Sequence, residues 1–196
     1  INKKNYKFST HLSGKHNLYN VAAAICVAIE ENISIKNIAK GLNDFQGVGR
    51  RFELSKIYLA DKSHVLIDDY GHHPTEILST ILATKEKFPR KKICMIFEPH
   101  RYSRTQQLFD DFVKVLSKVD CLLLLDIYPA SEKPIRGISS KKIASQISKN
   151  HKNVHYLGSQ DPIDWVQNNH QYFSILITQG AGTISKLNNE IKKKWQ

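Results

Sequence analysis

The stretch VLIDDYGHHP, residues 65–74, decides the fold class of this chain. A short apolar run ends at two carboxylates and a glycine, and a proline follows that suits the first turn of a helix. Ile77, Leu78, Ile81 and Leu82 then recur at helical spacing. The stretch therefore predicts a buried strand, a tight turn and an amphipathic helix in that order.

The same order repeats through the rest of the chain. Further apolar runs typical of buried strands span residues 93–97, 122–125, 154–157 and 175–177. Helical apolar spacing lies between and after them, around Leu108–Leu116, around Ile143–Ile147, from Asp161 onward and from Ile184 to Ile191. Strands that are apolar throughout alternate with helices where both sheet faces are covered. We therefore predict a doubly wound, mostly parallel, Rossmann-like α/β sheet.

The first 47 residues follow a different, helical pattern. Apolar residues from Leu18 to Ile29 have a period of about 3.6, and Ser34 is placed to cap a second helix. Gly47-Val48-Gly49 then reads as a hinge. The predicted organisation is a helical piece over residues 1–47 and an α/β domain over residues 48–196.

Composition limits the classes of function. The net charge is +11, but the lysines are scattered along the sequence, so a solvated basic surface is favoured and no nucleic-acid partner is expected. No apolar run of about 18 residues is present, so no membrane partner is expected.

Residues 1–8 are polar and lack an initiator Met and a signal peptide, which favours a cytoplasmic chain that is part of a longer protein. Cys26, Cys94 and Cys121 lie in apolar runs and are expected to be core residues rather than disulfide or zinc ligands.

Polar groups are concentrated where the predicted strands end. The sequences are DDYGHH at residues 68–73, EPHRYSR at 98–104, DIY at 126–128 and TQGAG at 178–182. In parallel sheets the carboxyl ends of the strands share one edge, where ligands bind. The sequence therefore predicts a ligand site at this edge.

Several of these residues allow more than one interpretation. Asn17 and Asn20 could read an adenine edge or cap a helix, and Arg51 could bind phosphate or belong to a basic linker. A carboxylate at a strand end, such as Asp69, can hold ribose hydroxyls. The adjacent His72 and His73 could suggest a metal, but their rings are expected to point apart. Gly180 and its neighbours could cradle an anion, although such turns are common.

The order of these stretches resembles that of the Mur ligase family. The resemblance is carried by GKHNLYNVAAA (14–24), GVGRRFE (47–53), IDDYGHHPTE (67–76), EPHRYSRT (98–105), DIYPASEKPI (126–135) and TQGAG (178–182). The combination of DDYGHHPTE with PHRYSRT is similar to the branch that joins L-alanine to UDP-N-acetylmuramate in the cytoplasm. The P-loop pattern GxxxxGK[ST] is absent from this chain.

The resemblance implies an ATP- and Mg²⁺-dependent ligase of peptidoglycan synthesis that forms an amide through an acyl phosphate. It implies that Asn17 and Asn20 contact adenine, Arg51 the ATP phosphates and Asp69 the ribose. Tyr70 and His72 would shape the amino-acid pocket. Arg101 and Arg104 would bind the alanine carboxylate and, with His72, form the predicted catalytic set.

The resemblance also implies that the first 47 residues end a central ATP-binding domain and that the remainder binds the amino acid. The magnesium ligands would lie upstream, so no metal ligand is assigned here and the chain alone is expected to be inactive. The expected partners are UDP-N-acetylmuramate, L-alanine and ATP, with the protein a monomer or homodimer. The alternatives are a ligase that adds a murein tripeptide during cell-wall recycling and a basic nucleic-acid-binding α/β domain.

Overall fold

The structure, a computed structural model, describes residues 5–12, 14–45 and 47–196. The chain divides into two compact units, one up to Gly49 and one from Arg50 to Gln196. The polar N-terminal stretch considered above, residues 1–8, lies partly outside the described residues.

The first unit contains two helices, α1 (Lys15–Glu30) and α2 (Ile35–Asp44). The predicted cap is confirmed, since Ser34 Oγ accepts a hydrogen bond from the Asn37 amide at 3.3 Å. The apolar stripe of α1 is largely exposed within this unit: Leu18 is 55% and Ile29 48% exposed. Cys26 on the same helix is also exposed, so its predicted place in a core is wrong.

The second unit is the predicted α/β domain. Its strands are β1 (Glu53–Leu59), β2 (Lys62–Asp69), β3 (Ile93–Phe97), β4 (Cys121–Leu125), β5 (Val154–Gly158) and β6 (Ile175–Gln179). Its helices are α3 (Pro74–Lys87), α4 (Tyr102–Gln107), α5 (Phe109–Leu116), α6 (Ser140–Ile147), α7 (Ile163–Asn169) and α8 (Ile184–Trp195). The strand order is β1-β2-β6-β3-β4-β5, with every neighbouring pair parallel except β1 and β2.

The sheet is covered on both faces, as continuous apolar strands predict. Side chains of α3, α5 and α6, such as Ile81, Phe112 and Ile143, pack on one face. Side chains of α7 and α8, such as Val166 and Leu187, pack on the other. Within the described ranges, none of the helices combines the length and apolar character that crossing a bilayer requires.

Strand β1 was not predicted. It pairs antiparallel with β2 and exposes alternate side chains, with Ile57 and Leu59 buried and Tyr58 exposed between them. The two strands are joined by Ala60 and Asp61, which both adopt positive φ angles of 45° and 61°. Two-residue hairpin turns of this kind usually carry Asn-Gly or Asp-Gly, so Ala-Asp gave no recognisable turn signal.

The helix predicted around Leu108 is divided in two. Leu108 has φ −114° and ψ 25°, and it separates α4 from α5. The apolar spacing of Phe112, Val115 and Leu116 does bury one face of α5 as predicted. The short helix α4 begins directly after Arg101, at the end of the strand-end loop.

Candidate functional site

The carboxyl ends of β2, β6 and β3 lie side by side, because β6 pairs with both of its neighbours in parallel. Register pairing places Asp69 beside Gln179, and Gln179 beside Phe97. The loops after these strands therefore meet at one edge of the sheet. The predicted convergence of the strand-end polar groups is confirmed for this set.

Asp69 is buried and held by protein donors. Its Oδ1 accepts hydrogen bonds from the Gly71 amide and Gln179 Nε2, both at 2.8 Å, and its Oδ2 accepts one from the Phe52 amide at 2.9 Å. Burial raises the pKa of this carboxyl, although the hydrogen bonds from Gly71 and Phe52 oppose the shift. In this arrangement Asp69 organises the turn that leads into α3.

The two adjacent histidines have separate roles. His73 is the N-cap of α3, and its Nδ1 accepts a hydrogen bond from the Thr75 amide at 3.3 Å. Glu76 completes the cap by accepting hydrogen bonds from the amides of His72 and His73 at 2.9 and 3.0 Å. The imidazole of His72 instead makes ring contacts with Tyr70 and His100. The two rings thus make different contacts.

We expect Glu76→Ala to lower the free energy of unfolding by about 1–2 kcal/mol, because a capping carboxylate and its two amide partners are lost. Burial opposes ionisation of Glu76, but the His72 and His73 amides outweigh it and lower the pKa of the carboxyl. The stabilisation is therefore present above the ordinary carboxyl pKa and lost as the pH falls through the folded value. Urea unfolding at several pH values measures both effects.

Glu86→Ala is the matched control, since Glu86 lies exposed in the last turn of the same helix. Its loss should leave the urea midpoint nearly unchanged. Equal midpoints for the two variants would show that the cap does not stabilise α3.

Tyr70 lies between two arginine side chains. The Arg50 and Arg51 guanidinium carbons are 5.3 and 5.6 Å from its ring centroid. Arg50 is also bonded internally, whereas Arg51 is exposed. Arg51 thus presents its guanidinium to solvent, whereas that of Arg50 is used inside the protein.

His100 is the central ring of the site. It stacks on Tyr128 at 5.4 Å between centroids with an interplanar angle of 22°, and its centroid is 5.6 Å from that of His72. Arg104 Nη1 lies 3.3 Å from its Nδ1. Burial, followed by the nearby His72 and Arg104 charges, lowers the pKa of His100. The neutral ring therefore accepts a hydrogen bond from Arg104.

Arg101 is held in an uncommon backbone conformation, with φ 76°. Its amide donates to the Tyr128 carbonyl at 2.8 Å, and its carbonyl accepts from the Thr105 amide and hydroxyl at 3.1 and 2.8 Å. Non-glycine residues at positive φ persist only where the surroundings fix them, and they concentrate at functional sites. The clamped backbone presents a side chain that is 50% exposed.

Glu132 restrains the other end of this loop. It accepts hydrogen bonds from the Ser103 hydroxyl at 2.6 Å and the Ser103 amide at 2.9 Å, and these bonds lower its pKa. Its Oε1 also lies 3.9 Å from Arg101 Nη1. Arg101 thus has one distant carboxylate neighbour, whereas Arg104 donates to both the carbonyl and the ring of His100.

The residues that directly follow the glycine-rich turn 178–182 bind a carboxylate of the protein itself. The buried carboxylate of Glu98 accepts hydrogen bonds from the Ile184 amide at 3.0 Å and from the Thr183 hydroxyl, so it occupies the N-terminus of α8. A Cβ atom on Gly182 would lie 2.6 Å from Tyr128 Cγ, and one on Gly180 would lie 2.7 Å from the Glu98 carbonyl oxygen. The absence of side chains at these two glycines allows this close packing, and the N-terminus of α8 is occupied by a carboxylate of the protein itself.

The two asparagines lie in the first unit, on the first turns of α1. Gly14 is the N-cap and makes no side-chain cap bond, so neither asparagine holds the capping position. Asn17 is 8% exposed, while Asn20 is exposed. Among the described residues, His, Cys, Asp and Glu form no group of three or more arranged to hold a metal ion.

The structure adds residues that the sequence did not single out. His100 and Tyr128 form the stacked centre of the site, and Glu132 and Glu98 fix its loops. His100 and Tyr128 belong to the sequences quoted above at the predicted strand ends, so their place directly after a strand could have indicated them as site residues. Glu132 lies far along the chain from Ser103, and no local pattern pointed to their contact.

The comparisons with known proteins agree with this architecture. A family model described as "Mur ligase, glutamate ligase domain" matches residues 50–182, which are 133 of the 196 residues. That range contains the sheet edge with Asp69, His72, His100, Arg101 and Arg104.

Three solved structures illustrate the shared fold. UDP-N-acetylmuramate-alanine ligase from Thermotoga maritima is 24% identical with a TM-score of 0.77, and the match covers 98% of this chain and 41% of that one. A murein peptide ligase from Psychrobacter arcticus is 20% identical with a TM-score of 0.64 (95% and 38% covered). Folylpolyglutamate synthase from Thermotoga maritima is 14% identical with a TM-score of 0.64 (97% and 42% covered). The chain thus spans about two fifths of the length of these proteins, and on the family match it belongs to the Mur ligase family.

Proposed function

We propose that this chain is the amino-acid-binding part of an ATP-dependent ligase that joins L-alanine to UDP-N-acetylmuramate in peptidoglycan synthesis. The observation that carries the proposal is the half-exposed Arg101, which directly follows His100 at the carboxyl edge of the sheet, where the His100 ring contacts His72. The amine of the amino acid must face the activated carboxyl group. Its carboxylate therefore needs an anchor on the protein, and a guanidinium supplies one.

Arg101 and Arg104 have different parts in this proposal. Arg101 is half exposed, and the carboxylate found near its charge among the described residues, that of Glu132, is 3.9 Å away. We therefore assign Arg101 as the carboxylate anchor. Arg104 already donates to His100, so it acts chiefly by holding the ring in place. Tyr70 and His72 meet edge to face at 5.4 Å, and in this proposal they would form one wall of the amino-acid pocket.

The proposed nucleotide contacts rest on two exposed side chains. The exposed guanidinium of Arg51 fits a phosphate, and Asn20 offers an exposed amide that fits an adenine edge. When bound, ATP and Mg²⁺ would supply phosphoryl transfer to the muramoyl carboxylate. The ribose contact of Asp69 stays a prediction, and it would require a ligand hydroxyl to share oxygens that already accept three protein hydrogen bonds.

The alternative substrate is a murein tripeptide, and one feature favours it. An open cleft of about 490 Å³ adjoins the site on the other side of Tyr128, between the ends of β4 and β5 and the start of α8. Asp126, Asp161 and Glu190 are among its lining residues. A longer peptide with a cationic end would find room and charge complementarity there. L-alanine would leave it unused.

Arg101→Ala in a full-length ligase containing this chain tests the proposal. Hydrogen bonds to charged groups contribute about 1.5–3 kcal/mol, so kcat/KM for L-alanine should fall about 10- to 100-fold. The KM for ATP should barely change. Arg90→Ala, at the opposite edge of the sheet, is the control and should leave both values intact.

Unaltered alanine kinetics in Arg101→Ala would contradict the anchor assignment. The unmodified enzyme offered L-alanine and the tripeptide in separate assays decides between the two substrates. A preference for the tripeptide would replace the proposed function with the recycling reaction.

A further inference from the structure

The amino-terminal edge of the sheet, opposite the candidate site, carries an unusual concentration of positive charge. The segments that form it are 85–92, 114–120 and 149–152, and we call them the basic edge. They contain nine lysine and arginine side chains against two acidic ones, Glu86 and Asp120. Their net charge of +7 is most of the +11 carried by the whole chain.

The segments are scattered in sequence but joined in the fold. Lys85 Nζ donates to the Lys118 carbonyl at 2.8 Å, which ties the end of α3 to the end of α5. His151 Nε2 donates to the Val119 carbonyl at 2.8 Å, which adds the segment after α6. Because β3, β4 and β5 are parallel, every helix that returns to them ends at this edge. Cations that are scattered along the sequence are therefore gathered at one edge of the sheet.

Helix dipoles explain only part of this charge. Lysines favour the last turn of a helix, and that accounts for Lys85, Lys87 and Lys114. The other six cations lie beyond the helix ends, at Arg90, Lys91, Lys92, Lys118, Lys149 and Lys152. All six are exposed. Asp120, whose carboxylate accepts a hydrogen bond from the Ile93 amide at 2.9 Å, and Glu86 together offset two of the nine positive charges.

We propose that the basic edge docks the protein on an anionic lipid bilayer. This peripheral contact requires no apolar span, and it departs from the expectation from sequence that there is no membrane partner. Eight of its nine cations are lysines, which act as point charges and lack the forked geometry used for reading bases. Its one aromatic residue, Phe88, is half-buried and packs on the core, so it offers no platform for stacking bases. The Arg and aromatic anchors typical of protein interfaces are also sparse. A diffuse lysine surface matches the diffuse charge of lipid headgroups.

This docking leaves the candidate site open. The basic edge is formed where strands begin, whereas Arg101, His72 and His100 follow strand ends. A bilayer bound at the basic edge would leave the ligand-binding edge facing the aqueous phase. The inference stands independently of which amino acid or peptide the site accepts.

Vesicle binding by the unmodified chain tests the proposal. The chain is mixed with vesicles of phosphatidylcholine and phosphatidylglycerol in a two-to-one ratio, and the bound fraction is measured by sedimentation. Binding should be absent from pure phosphatidylcholine and should weaken with salt, since the screening length is about 8 Å at physiological ionic strength.

Charge reversal locates the surface. The edge variant Lys91→Glu, Lys114→Glu, Lys149→Glu takes one lysine from each segment. The control variant Lys36→Glu, Lys40→Glu, Lys186→Glu changes exposed lysines elsewhere. Each reversal lowers the net charge by two, so the net charge of both variants falls from +11 to +5.

Each lysine near an anionic surface contributes about five-fold to partitioning onto the vesicles. The edge variant should therefore bind about 100-fold more weakly, and the control within a few-fold of the original.

If the edge variant with three glutamates has a lowered melting temperature, the same two sets of lysines are replaced by glutamine and the comparison is repeated. Equal losses in the edge and control variants would overturn the proposal, as would equal binding to neutral vesicles. A single-stranded oligonucleotide is the remaining arm of the experiment. Tighter binding to it than to the anionic vesicles, lost in the edge variant, would assign the basic edge to nucleic acid instead.

Discussion

Replacing Gly71 by alanine is expected to destabilise the second unit by about 3 kcal/mol, at the upper end for overpacking a well-filled site. A Cβ atom at this position would lie 2.6 Å from both Asp69 Oδ1 and Gln179 Nε2, and 3.1 Å from Glu76 Cβ. These atoms cannot retreat independently, because Asp69 and Gln179 are buried and hydrogen-bonded to each other. The added methyl group must therefore break the turn or separate β2 from β6.

Tryptophan fluorescence in a urea titration measures this effect, since Trp165 and Trp195 both belong to the second unit. Gly41→Ala is the matched control. Gly41 lies in α2 with nothing within 4 Å of an added Cβ, and alanine is favoured over glycine in a helix. Its tryptophan transition should be unchanged. A Gly71→Ala protein with the original midpoint would show that the turn tolerates a side chain.

The parallel part of the sheet could be predicted because its strands are apolar throughout. Residues 93–97, which form β3, are entirely buried, and so are the five residues of β6, its neighbour at the centre of the sheet. A strand that is buried on both faces has little freedom to carry polar residues. Strand β1, which is exposed on one face and joined by an Ala-Asp turn, lacked that constraint and was not recognised.

Contacts between distant segments limit what could be predicted for the site. The strand-end position of Arg101 was visible in the sequence, but its pairing with Tyr128 depends on how β4 lies beside β3. Glu98 could not be predicted to occupy the N-terminus of α8, because the partners are 86 residues apart. The adjacent Arg50 and Arg51 look equivalent in sequence, yet the fold gives them different surroundings.

Arg50 is expected to stabilise the fold, and Arg51 is not. Arg50 Nε lies 3.2 Å from the Asp68 carboxylate, and its Nη2 donates to the Gly180 carbonyl at 2.7 Å, so one side chain joins β2 to the turn after β6. Arg50→Ala leaves the buried Asp68 without its cationic partner, which should cost about 3 kcal/mol of stability. Arg51→Ala removes only an exposed contact with Tyr70 and should change stability by less than about 0.5 kcal/mol.

The pH dependence separates this loss from a packing defect. Burial raises the pKa of Asp68, and Arg50 opposes the shift. Without Arg50 the folded pKa rises further above the unfolded value, so the native state of the variant binds the proton more tightly. The destabilisation by Arg50→Ala should thus be largest at neutral pH and shrink as the pH falls through that raised pKa.

Urea titrations between neutral and mildly acidic pH measure the trend, and Asp68→Asn added to Arg50→Ala should restore part of the stability at neutral pH. A pH-independent loss would show that the guanidinium acts through packing alone. In a full-length ligase, nucleotide binding should show the opposite ranking to stability: the loss of Arg51 should matter more than the loss of Arg50. If Arg51 binds phosphate as proposed, Arg51→Ala, with its stability intact, should weaken nucleotide binding about ten-fold, because one charged hydrogen bond would be lost.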